Sequence, residues 1–214
     1  MTKNIIASLL FCLTLSACGQ NKNYDSIKEL NIDPKIKIDV EKNITKSEFG
    51  KGGDNLLIYN NRMLIDFYED DKLNFSLKEV DDKSSVFKSF YYWQGDTLGI
   101  DGAFGLFGGT GFSIKICRGK ATVYHMLASD EFPSYAYKEK DSLIFRLEVP
   151  CKETKIILSE IPDSTKKQII YGYVELKSDE YFASSGSADD KEILPRKKLR
   201  VNMKVYFKSS KLEL

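Results

Sequence analysis

Apolar and polar residues exchange places along most of this chain with a period of two. That is the pattern of strands with one buried and one solvated face, not the 3.6-residue period of an amphipathic helix. Ile36, Ile38 and Val40 alternate with Lys35, Lys37, Asp39 and Glu41. The segment LLIYNNRMLIDFY reads as a hairpin turning at Asn60-Asn61, because asparagine tolerates the positive φ of a type I′ turn. Leu73, Phe75 and Leu77 alternate next, and VFKSFYYWQ forms a further run closed by Gly95-Asp96. FSIKIC and ATVYHML flank Arg118-Gly119-Lys120, which reads as a three-residue hairpin loop. LIFRLEV, KIILSE, QIIYGYVELK and LRVNMKVYF complete the series. In the last of them Leu199, Val201, Met203, Val205 and Phe207 alternate with Arg200, Asn202, Lys204, Tyr206 and Lys208.

About ten to twelve strands with little helix predict an all-β fold, either an antiparallel β-sandwich or an irregular β-barrel. The best helical candidate is the short DSTKKQ after Pro162. Residues 178–198, with SSGSADD at their centre, read as a long exposed loop. Nothing in 35–214 has the composition of a linker, so that span is expected to be a single β-rich domain. The 214 residues are 42% hydrophobic and 12% aromatic, a globular composition that favours strands. The formal net charge of +1 supplies no field that would draw in a nucleic acid.

The N-terminus departs from the alternation. Lys3 precedes an apolar run of 11 residues from Ile5 to Leu15, too short to span a bilayer, and the run ends in Leu15-Ser16-Ala17-Cys18. This segment resembles the lipobox signal of bacterial lipoproteins, Leu-[Ala/Ser]-[Gly/Ala]-Cys, at all four positions. The resemblance covers only about the first 20 residues. It implies a signal peptide over 1–17, cleavage before Cys18, lipidation of the Cys18 thiol, and export. Gly19 in place of Asp after the cysteine implies sorting to the outer membrane. Residues 18–34 are then a polar tether ending at Pro34. The implied partner is the cell-envelope membrane, held through palmitate-type acyl chains at about 0.8 kcal/mol per buried CH₂. The remainder is similar to the exported β-rich lipoproteins of bacteria.

With Cys12 removed and Cys18 acylated, Cys117 and Cys151 remain. Both follow strand-like segments, and an exported compartment permits a disulfide between them. Such a bridge would stabilise by roughly 3–4 kcal/mol on the chain-entropy account. The alternative is two buried thiols.

Candidate binding chemistry is sparse. Seven of the 14 glycines fall in residues 95–111, with Phe104, Leu106 and Phe107 among them. They read either as an apolar loop that inserts into a partner or as closely packed strands. Phe90-Tyr91-Tyr92-Trp93 places aromatics on both faces of one strand, so Tyr91 and Trp93 form a stacking platform or lie between layers. Arg200, Lys204 and Lys208 share the outward face of the last strand. They suit a phosphate-bearing or acidic partner, or protect an edge strand from edge-to-edge pairing. His125 is the only histidine, and no Gly-x-Ser-x-Gly elbow accompanies it, so neither a zinc site nor a hydrolase triad is expected. Acidic pairs such as Glu69-Asp70-Asp71, Asp81-Asp82, Asp130-Glu131 and Asp189-Asp190 sit in apparent turns without calcium-loop spacing. No metal, cofactor or catalytic residue is assigned. The expected function is that of a non-catalytic envelope lipoprotein whose β-domain binds a protein or a surface polysaccharide, with no nucleic acid involved. The alternatives are a carrier of small apolar ligands and a carboxylate-dependent glycan hydrolase.

Overall fold

Strands with one sealed face make up most of the computed structural model, which describes residues 28–46, 59–61, 63–78, 87–105, 108–184 and 195–212. The chain begins with β1 (Lys28–Glu29), β2 (Asn31–Ile32), α1 (Ile36–Asn43), β3 (Ile44–Lys46) and β4 (Tyr59–Asn61). There follow β5 (Met63–Glu69), β6 (Lys72–Lys78), β7 (Phe87–Gln94), β8 (Thr97–Phe104), β9 (Gly109–Cys117) and β10 (Lys120–Ala128). The last are β11 (Tyr135–Ala136), β12 (Arg146–Leu158), β13 (Ile169–Ser178), β14 (Tyr181–Ala183) and β15 (Lys197–Lys211).

Thirteen of these strands hydrogen-bond into one sheet, and β3 pairs with β4 in a second. Antiparallel pairings lead from β7 through β8, β9, β10, β12 and β13 to β15. A short parallel contact then sets Ser210 and Lys211 of β15 against Phe90 and Tyr91 of β7, so the circuit closes. The fold is all-β, as the alternation predicts, and its closure is that of an irregular barrel. The β5–β6 hairpin hangs on the first half of β15, where Leu199 to Val205 pair with Glu69 to Met63.

Two long strands turn the corners. In β12, Leu147, Val149 and Cys151 face the core before a bulge between Cys151 and Glu153, and Ile156 and Leu158 face it afterwards. The extra residue shifts the alternation by one and bends the strand, so one strand serves β10 with its first half and β13 with its second. The interior is filled by side chains. Phe112 and Phe207 are fully buried with ring centroids 5.1 Å apart, among Ile100, Ile114, Val174 and Val205. Each such side chain contributes about 1.5–3 kcal/mol through burial.

Several local expectations are corrected. Residues 36–43 form a helix, not a strand. Ile36 and Val40, four apart, are buried at 5% and 0%, whereas Ile38 is 55% exposed. Asp33 caps this helix, its Oδ1 accepting from Lys35 N at 3.0 Å and its carbonyl from Ile36 N at 3.1 Å. DSTKKQ is only a turn, closed by Thr165 N and Oγ1 donating to Asp163 Oδ1 at 2.8 and 2.7 Å. Asn60 and Asn61 lie in β4, and the hairpin turns at Asp70-Asp71, with φ of 46° and 62°. Arg118 and Gly119 make a two-residue turn, because Lys120 already pairs with Cys117. The end of the supposed tether joins the sheet, with β1 beside β10 and β2 beside β12. Part of the supposed loop 178–198 is β14 and the start of β15. Finally, β15 is no edge strand: it pairs with β5, β7, β13 and β14.

Candidate functional site

The outward face of β12, β13, β15 and β5 carries a grouping of polar side chains. The register aligns Glu153, Lys177, Asn202 and Asp66 in one row across the four strands, and Lys155, Glu175, Lys204 and Leu64 in the next. A trough of about 540 Å³ opens over these two rows. Two of its carboxylates are paired with lysines and the third with a hydroxyl. Lys177 donates to Glu153 at 3.0 Å, Lys204 to Glu175 at 2.9 Å, and Ser76 Oγ to Asp66 at 2.5 Å. Three carboxylates face three ammonium groups, so the lining is neutral.

Aromatic residues stand at both ends. Towards the end of β15, Tyr173 and Tyr206 pair with centroids 4.8 Å apart, and Tyr173 donates to Glu175 Oε2 at 3.0 Å. Below them α1 packs across β13 and β15, and Lys37 and Lys208 lie over the Tyr171 ring at 5.2 and 5.6 Å. Towards the start of β15, the Arg200 guanidinium covers the Tyr68 ring at 4.0 Å and bonds Asp71 at 3.2 Å. The hydrogen bond from Lys204 holds the Glu175 carboxyl below the usual carboxylate range, and Glu175 raises the Lys204 ammonium in return. Burial first, and the Glu175 carboxylate second, push the Tyr173 phenol up.

Of the residues singled out from sequence, Arg200, Lys204 and Lys208 do lie on one outward face, along the trough. Each meets an acid or a ring of its own chain, which weakens the case for a phosphate-bearing partner. Tyr91 and Trp93 point inward. Tyr91 is fully buried and donates to the Gln168 carbonyl at 3.0 Å, and Trp93 packs against the core, with no hydrogen-bond partner for its Nε1. The outward pair on β7 is Phe90 and Tyr92, with centroids 6.3 Å apart. Phe104 ends β8 packed against the core, and Phe107 and Cys18 lie outside the described residues.

The thiols of Cys117 and Cys151 are not joined. Cys151 belongs to the core, whereas Cys117 follows inward-facing Ile116 and so points to the opposite face, where its thiol meets Asp96 at 3.8 Å. β10 separates their strands, and the register places them about 14 Å apart, beyond the reach of a bridge. Burial pushes the Cys151 thiol up to about 12.

His125 is fully buried, with Nε2 2.6 Å from the Thr110 hydroxyl and the Tyr181 ring at 5.6 Å. Burial lowers its pKa to about 3, so it stays neutral. On the opposite flank Asp101 is raised, chiefly by burial beneath its neighbours, and it hydrogen-bonds Ser113 and Tyr92. No cluster of metal-ligating side chains occurs among the described residues, and no described helix is long and apolar enough to cross a membrane.

No motif in the sequence marks Glu153, Lys155, Glu175, Lys177, Asp66 and Asn202. Alternation marks most of them as outward, but only the register brings them together. What the fold and the trough define is an all-β, irregularly closed barrel with a neutral polar groove on its flank. Comparison with protein-family models, with curated proteins and with solved structures finds no match.

Proposed function

We propose that this chain is a lipid-anchored protein of the bacterial cell envelope, held at the outer membrane through Cys18, whose β-domain is a non-catalytic binding module for a protein or a surface polymer. The observation that carries the binding reading is the trough between β12 and β5, formed on an outward face while the interior is packed. A carrier of small apolar ligands needs an enclosed space, and Phe112 and Phe207 occupy the centre. Within the trough, a carboxylate hydrolase would need one carboxyl kept protonated near neutral pH, and Lys204 drives Glu175 the other way.

The test is cross-linking of the full-length tagged protein in its native membrane. One stoichiometric partner or polymer is expected from the parent protein and little from a variant carrying Glu153→Gln, Glu175→Gln and Lys204→Ala. Equal capture by the two proteins removes the trough from the function. A Cys18→Ser variant is expected to leave the membrane fraction, and its retention there would overturn the anchor.

A further inference from the structure

We infer that the trough takes an uncharged glycan chain, an inference that rests on the reading above of the trough as the binding surface. Three features narrow the ligand class. The first is charge: the two rows sum to zero, and Lys177 with Glu153 and Lys204 with Glu175 are already paired, so the trough attracts neither a polyphosphate nor an acidic segment at long range. The second is the floor. Backbone groups of β12, β13, β15 and β5 are paired with one another, so an extended peptide cannot add itself as a strand, and recognition must pass through side chains.

The third is the spacing of polar groups. Rows along a strand lie about 7 Å apart and neighbouring strands about 4.8 Å apart, a grid on the scale of a hexose ring. At each point it offers a carboxylate, an ammonium or an amide. A hydroxyl both donates and accepts, so it can join a Lys-Glu pair without breaking it. Asn202 donates to the Tyr68 hydroxyl at 3.2 Å, and its Oδ1 is buried beneath the row. Lys155 is exposed on the row that holds Glu175 and Lys204. Tyr206 and Tyr68 stand at the two ends of the trough, about 20 Å apart along β15, Tyr206 against Tyr173 and Tyr68 beneath Arg200.

The experiment is calorimetric titration of the purified full chain with hexamers of glucose, mannose and N-acetylglucosamine, with polyphosphate as the charged comparison. One neutral hexamer is expected to bind, with an affinity that changes less than about twofold between about 0.05 and 0.5 M salt. Glu175→Gln is expected to weaken binding about tenfold or more. Lys155→Ala, at an exposed position that does not threaten folding, is expected to weaken it by a smaller factor, and circular dichroism checks both variants. Binding of polyphosphate with steep salt dependence would overturn the neutral class. So would neutral-hexamer binding unchanged in both variants, or no hexamer binding alongside capture of a protein that the trough variant loses, although this last outcome leaves the binding module standing. Failure of both titration and capture would overturn the inference together with the reading beneath it.

Discussion

The single histidine is a structural residue, and its burial makes the protein sensitive to acid. His125 has one partner, the Thr110 hydroxyl 2.6 Å from Nε2, and its Nδ1 has none. A bare lone pair at Nδ1 costs less than an unpaired N–H, so Nε2 carries the proton and donates to Thr110. Protonating Nδ1 would place a charge and an unmatched donor in the core, which is why burial lowers the pKa from 6.5 to about 3. Between those values the unfolded chain takes up a proton that the native chain refuses, so native stability falls as pH falls through this window. The slope is about 1.4 kcal/mol per pH unit. From pH 7 to pH 4.5 the parent protein is expected to lose on the order of 2–3 kcal/mol more than a His125→Leu variant. Urea unfolding of both proteins at the two pH values measures this difference. Parallel losses would mean that His125 is not the group responsible.

At the scale of elements, the glycine-rich hairpin is held by a close approach of backbones. A Cβ on Gly111 would meet the carbonyl oxygen of Gly102 and the Cα of Ala103 on the neighbouring strand, and neither can move without shifting β8. A Cβ on Gly99 would meet only the Tyr92 ring, which can swing outward. Gly111→Ala is therefore expected to destabilise by about 2–3 kcal/mol and Gly99→Ala by less than half of that, as read from urea midpoints. Equal effects would show that the sheets tolerate the extra methyl alike.

The same contrast between local and non-local causes explains what was legible in the sequence. That ATVYHML is a strand was legible, because alternation is local, and Val123, His125 and Leu127 share its buried face. The helix at Ile36 was not, because IKIDV fits both a two-residue alternation and an i, i+4 face, and the packing of α1 against β13 decides between them. The turn expected at Asn60-Asn61 does not form there, since pairing with β3 draws those residues into β4. Lysines on the outward face of β15 marked a solvated face and not an edge, because edge or centre depends on strands more than a hundred residues away, such as β5. Arg200, Lys204 and Lys208 were visible as a stripe for the same local reason. Their acidic partners on β12, β13 and β5 were not, because a register is fixed by the whole circuit.

At the scale of the molecule, the position of β1 orients the barrel on its proposed anchor. Lys28 pairs with Ala121 and Glu29 with Lys120, beside the turns at Gly95-Asp96 and Arg118-Gly119. Nine residues separate Cys18 from Lys28, and in any conformation the ten steps between the two reach at most about 36 Å. With Cys18 anchored as proposed, this end of the barrel is expected to face the bilayer. β15 runs towards this end from Lys197 to Lys211, so the trough stands along the flank, with Tyr206 nearer this end and Tyr68 farther from it. The turn at Asp70-Asp71 lies at the far end, and β9 alone spans about 30 Å between the two ends. Fluorophores on single cysteines placed at Arg118 and at Lys72, in a Cys117→Ser background, are expected to differ in the lipidated protein reconstituted into vesicles. A quencher in the acyl region should dim the first strongly and leave the second unchanged. Equal quenching would lay the barrel on its side and bring the trough against the lipid, and stronger quenching at Lys72 would invert it. The expected upright posture leaves the whole trough, from Tyr206 to Tyr68, open to a chain passing alongside the membrane.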